Sequence, residues 1–151
     1  MTRVIPVLHN VSSVQRVVDM ARLVYSLGYD KLVVTKAYGG AAQNGIPEAM
    51  RVALKAGKNL IVLADLQDAV ELLRPDKVYA VTPRDPEILL GNQPVSLEGE
   101  RALIVFSGGE PDFSASELQG ATRIYIEGVQ AKLGPLPEAA IILYSLLREI
   151  R

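Results

Sequence analysis

The sequence predicts an α/β fold in which a mostly parallel β-sheet carries helices on both faces. Short apolar runs typical of strands alternate with segments of helical periodicity along the chain, and this alternation favours parallel strands joined by crossover helices. Runs such as Leu103–Phe106 are apolar at every position, which indicates strands covered on both faces. Because no linker, repeat or low-complexity segment interrupts the pattern, we expect residues 1–151 to form a single domain.

The first helix is predicted over Val11–Leu27. Ser12 or Ser13 can cap its start, and Gly28 ends it. Its apolar residues form two neighbouring stripes, so we expect this helix to pack on two surfaces. The first stripe consists of Val14, Val17, Val18, Ala21 and Tyr25, and the second of Met20, Leu23 and Leu27.

Proline, glycine and acidic caps delimit the remaining helices. Pro47 lies in the first turn of the second helix, Gly57 follows its end, and Asp65 can cap the third helix. The predicted helices are Ile46–Ala56, a helix from Asp65 through Leu73, Ser114–Gln119 and a closing helix that begins at Pro137. The predicted strands are Arg3–Leu8, Lys31–Thr35, Asn59–Ala64, Lys77–Val81, Ala102–Phe106 and Arg123–Ile126. The predicted irregular segments are a polar loop at Lys36–Gly45, Thr82–Leu97 with one helical turn after Pro86, and a glycine-rich turn at Ser107–Phe113.

Composition excludes several kinds of chemistry. There is no cysteine, which excludes disulfides, thiolate metal sites and a cysteine nucleophile. The single histidine, His9, argues against a zinc site built by the protein, and we expect no bound metal. The formal net charge of −1 offers no strong field for nucleic acid, so an RNA site must be a local patch or lie across a dimer.

No targeting or membrane segment is expected. The N-terminus combines one arginine with a short apolar run broken by Pro6, which is too weak for a signal peptide. No apolar run approaches the roughly 18 residues that a membrane span needs. These observations predict a cytoplasmic protein with no membrane partner.

The stretch from Thr122 to Leu147 combines a strand, a glycine loop and an apolar helix. Its strand end reads Ile124-Tyr125-Ile126-Glu127-Gly128, its loop contains Lys132-Leu133-Gly134, and its helix contains Ala139-Ala140-Ile141-Ile142-Leu143-Tyr144. This order and spacing resemble the third motif of the SPOUT (SpoU–TrmD) RNA methyltransferases, with Lys132-Leu133-Gly134 standing where that family has Ser-Leu-Asn. The resemblance implies a trefoil-knotted α/β domain that binds S-adenosylmethionine (SAM) and forms a homodimer.

Two further strand ends are candidate parts of a cofactor site. The strand at Leu103–Phe106 runs into Ser107-Gly108-Gly109-Glu110, where glycine exposes backbone amides; an ordinary tight turn is the alternative. Thr82 follows another strand, and a strand end stopped by proline is the alternative there. In the SPOUT family these places hold or enclose the cofactor. The cofactor-binding residues that the resemblance implies are Thr82, Ser107, Gly108, Gly109, Ile126, Gly128 and Leu133.

Polar residues also cluster where the first strand meets the first helix, from His9 to Arg16. Amides at a helix start favour anions such as phosphate. The SPOUT resemblance implies a catalytic arginine and an asparagine in this region. Counting from Gly28 indicates Arg22, whereas counting from the helix start indicates Arg16, with Asn10 or His9 assisting; a capped helix with solvated arginines is the alternative.

Three functions remain open at this point. The first is a SAM-dependent methyltransferase that acts on a ribose 2′-oxygen or a base nitrogen of tRNA or rRNA. The second is a non-catalytic SAM- or RNA-binding protein of the same fold, which the departures at Ser107, Lys132 and Gly134 favour. The third is a metal-dependent nuclease of the RecB-like class, because Pro111-Asp112 followed by Gln130-Ala131-Lys132 resembles that signature, although glutamine replaces its second acid.

The closing helix predicts self-association. Its apolar arc extends to Ile141 and Tyr144, beyond what one sheet face covers, and such a helix is buried on more than one side. The two stripes of the first helix show the same excess. We therefore expect a symmetric homodimer. The expected RNA contacts, which we predict to be weak and salt-sensitive, are Arg16, Arg22, Arg84 and Lys132.

Overall fold

The computed structural model describes residues 3–91, 100–109 and 112–150. Their seven strands form one sheet in the order β3-β2-β1-β6-β4-β7-β5, and every neighbouring pair is parallel. The strands are β1 (Arg3–Val11), β2 (Lys31–Ala37), β3 (Asn59–Leu63), β4 (Lys77–Val81), β5 (Ile88–Leu90), β6 (Arg101–Ser107) and β7 (Thr122–Ile126). The helices are α1 (Val14–Ser26), α2 (Ile46–Ala56), α3 (Leu66–Leu73), α4 (Ala115–Leu118) and α5 (Pro135–Ile150).

Alternation along the central strands divides the core into two layers. Leu8 of β1 and Ile104 of β6 belong to the larger cluster, which also contains buried residues of α1, α2 and α5. Val7 and Val105, one residue away on the same strands, belong to the smaller cluster under α3 and α4. Successive strand residues point to opposite faces, so the predicted parallel sheet with helices on both faces is confirmed.

β1 and β6 are neighbours in the sheet, and the connections that follow them run to opposite faces. The chain leaves β1 for α1 on the face of the larger cluster, but it leaves β6 for α4 on the opposite face. A crevice therefore opens between these two strands at their carboxyl ends. This is where open α/β sheets bind ligands.

The start of the first helix was predicted too early. β1 continues to Val11, which pairs with Ala37 and is fully buried, so α1 begins only at Val14. Ser13 caps it by accepting a hydrogen bond from the Arg16 amide at 3.2 Å. Backbone pairing with β2 therefore outweighs the helical pattern at this boundary.

The predicted loop at Lys36–Gly45 is wrong over most of its length. β2 extends to Ala37, and Ala41–Gly45 form a π-helical turn that leads directly into α2. Gly45 allows this packing, because a Cβ there would lie 3.3 Å from the Val14 Cα atom. Tertiary contact with α1 thus gives helical structure to a segment whose composition favours a loop.

The segment after β4 also differs from prediction. Instead of a helical turn after Pro86, Ile88–Leu90 form the edge strand β5 beside β7. The edge of β7 supplies the backbone hydrogen-bond partners of this short apolar run, and those partners lie more than 30 residues away in the sequence. The end of the predicted irregular segment, residues 92–97, lies outside the described residues, as do Glu110 and Pro111.

The closing unit follows the prediction with one shift. α5 begins at Pro135 rather than Pro137, which leaves a shorter loop after β7. The short helix near residue 115 is confirmed, and Ser114 caps it. Within the part of the chain that the structure describes, no helix combines the length and the apolar character needed to cross a bilayer.

Candidate functional site

The crevice at the carboxyl ends of β1 and β6 is built from tightly packed backbone. His9 pairs with Ser107, and the Gly108 amide donates to the His9 carbonyl oxygen at 2.7 Å. A Cβ at position 108 would lie 2.9 Å from the Val11 Cβ, so only glycine fits without displacing β1. The glycine-rich turn is therefore locked onto β1.

A cleft of about 280 Å³ opens from this crevice on the side of α1 and α5. Its lining consists of Arg16, Ser107, Gly108, Gly109, Lys132, Leu133, Gly134 and Pro135. The Arg16 guanidinium donates to the Gly108 carbonyl oxygen at 2.8 Å, and the Lys132 Nζ lies 3.5 Å from the Gly109 carbonyl oxygen. Two cations beside exposed backbone suit a ligand that carries a carboxylate or phosphate.

The loop that closes this cleft is held by a buried hydroxyl. Tyr125 on β7 accepts a hydrogen bond from the Leu133 amide at 2.9 Å and donates to Glu138 Oε2 at 2.8 Å. Burial raises the pKa of Glu138 above its ordinary value. Burial, together with the neighbouring Glu138, raises the pKa of Tyr125 to about 12. Both groups thus favour their neutral forms, and the pair ties the start of α5 to the loop.

Four of the expected cofactor residues meet in this cleft, namely Ser107, Gly108, Gly109 and Leu133. Ile126 and Gly128 stand just before the loop and do not line the cleft. Gly128 has a φ of +81°, a conformation that favours glycine and turns the chain out of β7. Thr82 is fully buried and is absent from the lining.

Thr82 and Asp112 instead bind each other. The Thr82 hydroxyl donates to Asp112 Oδ2 at 2.8 Å, and Asp112 Oδ1 forms an ion pair with Arg84 at 2.8 Å. Both Asp112 oxygens are therefore engaged within the protein. Asp112 is the acid of the RecB-like signature. Lys132, of the same signature, instead lines the cleft beside Arg16.

The structure separates the two candidate arginines. Arg16 lies in the cleft, and Asn10 lies beside it with a φ of +61°, its carbonyl oxygen close to Gly109. Arg22 is exposed, pairs with Asp19 at 3.8 Å, and lines a separate depression with Arg51 and Lys55. Only Arg16 can meet a ligand bound at the glycine turn.

His9 faces the other side of the sheet. Its Nε2 lies 2.7 Å from Glu117 Oε2 and its Nδ1 lies 2.8 Å from the Thr35 hydroxyl, while its ring stacks on Phe113. Burial lowers the pKa of His9, so the neutral ring donates from Nε2 to the carboxylate and accepts from Thr35 at Nδ1. Burial alone would raise the pKa of Glu117, but hydrogen bonds from Ser114 and His9 hold it below its ordinary value.

A second and larger cleft, of about 610 Å³, lies on that face between α3 and α4. Glu117 lines it together with Lys36 and Asp65, over an apolar floor that includes Val70 and Val78. No motif in the sequence indicates a function for Glu117 or Asp65. A lone histidine on a strand end, with glutamate and threonine far away in the chain, gives no local signal.

Comparison with solved structures defines the class of fold. The chain matches the SpoU methyltransferase AviRb from Streptomyces viridochromogenes in complex with AdoMet, at a TM-score of 0.77 and 12% identity, over 99% of this chain and 61% of that chain. It also matches a structure described as "Structural insights into the 2-OH methylation of C/U34 on tRNA", at a TM-score of 0.75 and 18% identity, over 99% of this chain and 97% of that chain. The predicted SPOUT fold is confirmed. The trefoil knot stays a prediction.

The family is shown by sequence. Residues 39–145 match the family described as RecB-family nuclease (DUF2122), and the chain belongs to this family. It is 69% identical to a protein of Aeropyrum pernix named "Putative type II restriction enzyme ApeKORF2002P", over 96% of this chain and 93% of that protein. It is 37% identical to a Methanocaldococcus jannaschii protein named "Putative type II restriction enzyme MjaORF1200P", over 95% of each chain.

Proposed function

We propose that this chain is a SAM-dependent methyltransferase that acts on RNA. The observation that carries the proposal is the convergence of Arg16, the Ser107–Gly109 turn and Lys132 in one cleft at the carboxyl ends of β1 and β6. The same fold binds AdoMet in the SpoU methyltransferase AviRb. We also propose that residues 1–151 form a single domain, as the sequence predicts.

The donor set of the cleft fits SAM in part. Bare backbone at Gly108 and Gly109 suits the nucleoside, and Lys132 suits the carboxylate of its amino acid moiety. The cleft measures about 280 Å³, at the lower limit of the roughly 300–1,000 Å³ of small-molecule sites. One subunit would therefore hold part of the cofactor, and a second subunit would complete the site.

The chemistry would depend mainly on placement. SAM, when bound, supplies an electrophilic methyl group. Arg16 keeps further N–H donors beyond the one given to Gly108, and these would hold an RNA phosphate so that the accepting oxygen or nitrogen faces the methyl group. We assign Arg16 this positioning role because guanidinium holds its own proton too firmly to act as a base.

The nuclease function named by the family is the second candidate, since the family match and both relatives favour it. The arrangement of side chains does not fit a catalytic metal. Among residues 3–91, 100–109 and 112–150, no group of three or more histidine and acidic side chains is placed to hold one. Asp112, the acid of the signature, is engaged by Thr82 and Arg84.

Calorimetry with SAM and its demethylated product tests the cofactor assignment. Gly128→Val, whose φ of +81° strains any side chain, should distort the closing loop and abolish SAM binding. Gly120→Val is the matched control, because Gly120 has a φ of +79° and equally open surroundings but lies outside the cleft. Equal SAM affinity in both variants would remove this site.

The two functions are separated by product. Transfer of a labelled methyl group from SAM to tRNA or rRNA supports the methyltransferase, and its loss in Arg16→Ala with SAM binding retained supports the positioning role. Magnesium-dependent cleavage of DNA or RNA by the wild type, without methyl transfer, would favour the nuclease. SAM binding without transfer to any RNA would leave the non-catalytic alternative.

We also propose a homodimer formed through α5. Ile141 and Tyr144 are 43% and 56% exposed on this helix, and an apolar surface of this kind marks an interface. Ile141→Asp should give a monomer that no longer binds SAM, whereas Leu72→Asp, at a leucine that is 59% exposed on α3, is the control. Light scattering that finds a folded wild-type monomer at micromolar concentration contradicts the dimer.

A further inference from the structure

We propose that the cleft between α3 and α4 binds a guanine nucleotide unit, with the base edge on Glu117 and the phosphate on Lys36. This cleft measures about 610 Å³, within the range of nucleotide-sized sites. It lies on the opposite face of the sheet from the proposed SAM site. The inference therefore does not depend on methyl transfer.

The lining of the cleft suits a flat ring with a polar edge. Leu66, Val70, Val78 and Ala121 contribute apolar surface, and polar groups from Asp65, Ser114, Ser116 and Glu117 share the same lining. A base would cover the apolar part and leave its hydrogen-bonding edge toward the polar part.

Glu117 is a fixed acceptor at this cleft. Its Oε2 accepts from His9 and its Oε1 accepts from the Ser114 amide at 2.8 Å, so the carboxylate cannot rotate freely. Each carboxylate oxygen retains a further lone pair, and the side chain is 15% exposed. Guanine presents adjacent N–H donors on one edge and can use both oxygens, whereas adenine places an acceptor beside its amino group.

Lys36 supplies the cation. It follows Thr35 at the carboxyl end of β2 and has a φ of +52°, an unusual conformation for a lysine. Strained residues of this kind gather at functional sites, where the fold holds them against their preference. Lys36 is exposed and lines the cleft, and its ammonium group can donate to a phosphate bound there.

Calorimetry with GMP, guanosine, AMP and UMP tests the site on the full chain. We expect GMP to bind at least tenfold more tightly than AMP or UMP, because adenine turns an acceptor toward the carboxylate and uracil offers it only one N–H donor. Lys36→Gly removes the cation without strain at this φ; it should weaken GMP about tenfold and leave guanosine unchanged. Glu117→Gln should lower the preference for GMP over AMP, whereas Glu71→Gln, exposed on α3 outside the cleft, should not.

A variant that fills the cleft distinguishes a loss of binding from a loss of folding. Gln67 is exposed and lines the cleft, so Gln67→Trp should fill the site, abolish GMP binding and leave thermal unfolding unchanged. Gly128→Val should retain GMP binding even if SAM binding is lost, which separates the two proposals. Short RNAs that differ by one guanine distinguish a nucleotide within RNA from a free one. Absence of GMP binding at millimolar concentration, equal binding of GMP and UMP, or unchanged binding in Gln67→Trp would overturn the inference.

Discussion

The two faces of the sheet each carry a glutamate near the central crevice, and the two carboxyl groups have opposite electrostatics. Glu138, on the α5 side, is fully buried and bonds the Tyr125 hydroxyl, and burial raises its pKa. Glu117, on the α4 side, bonds an imidazole and a backbone amide, and its pKa is lowered. The comparison shows that deep burial outweighs the hydrogen bonds of Glu138, whereas the hydrogen bonds of the less buried Glu117 outweigh its burial.

The difference extends to the two clefts. The cleft beside Arg16 combines glycine backbone with two cations, Arg16 and Lys132, and the Tyr125–Glu138 pair holds the loop that closes it. The α3–α4 cleft offers ionised side chains from Lys36, Asp65 and Glu117. The first arrangement suits a ligand that carries an anionic group, and the second suits one that presents hydrogen-bond donors to a carboxylate.

The largest loss of stability is expected from a substitution on the α4 side of the sheet. His9→Ala removes a fully buried ring, its contact with Phe113 and the partners of Thr35 and Glu117. We expect the free energy of unfolding to fall by about 3 kcal/mol, from the cavity and the unpaired groups together. Urea denaturation measures it, with exposed Gln67→Ala as the control. A loss below about 1 kcal/mol would show that this network contributes little to the fold.

A smaller effect is expected on the α5 side. Tyr125→Phe leaves the Leu133 amide and the Glu138 carboxyl group without their hydroxyl partner, which should cost about 1–2 kcal/mol. Hydrogen exchange at the Leu133 amide should accelerate, because that hydrogen bond closes the loop. Tyr144→Phe, on the exposed part of α5, should change neither quantity. Unchanged exchange at Leu133 in Tyr125→Phe would contradict the proposed role of Tyr125.

The smallest expected effect is a difference in how Glu117 and Glu138 make the stability depend on pH. The folded pKa of Glu117 lies below the ordinary 4.5, so its contribution to stability is present above that pH and is lost as pH falls. The folded pKa of His9 lies below 6.5, so protonation of His9 at low pH also opposes folding. Glu138 has a raised folded pKa, so its contribution is greatest below 4.5 and is lost as pH rises.

Unfolding free energies between about pH 3 and pH 8 should separate the two glutamates. The stability of the wild type relative to Glu117→Gln should rise with pH, while its stability relative to Glu138→Gln should fall. We expect both changes to be smaller than the loss in His9→Ala. Parallel curves for the two variants would mean that the carboxyl groups do not differ as described.

The sequence by itself determined the features that depend on neighbouring residues. The capping of α3 by Asp65 and of α4 by Ser114 involves side chains and amides within one turn, and apolar runs identify buried parallel strands without knowledge of the rest of the chain. The order of motifs from Ile124 to Tyr144 was enough to predict the SPOUT fold. The SPOUT resemblance also predicted that Ser107–Gly109 and Leu133 lie close together, and they line one cleft.

Only the tertiary structure decided the features that depend on distant partners. β5 exists because β7 offers an edge. Arg16 rather than Arg22 reaches the glycine turn because Arg16 lies in the first turn of α1, next to the end of β1. His9 and Glu117 are 108 positions apart, and no local pattern links an imidazole to a carboxylate at such a separation. Hydrogen bonds and burial set the pKa of His9 and of Glu117. Both arise only when the folded sheet brings β1 and α4 together.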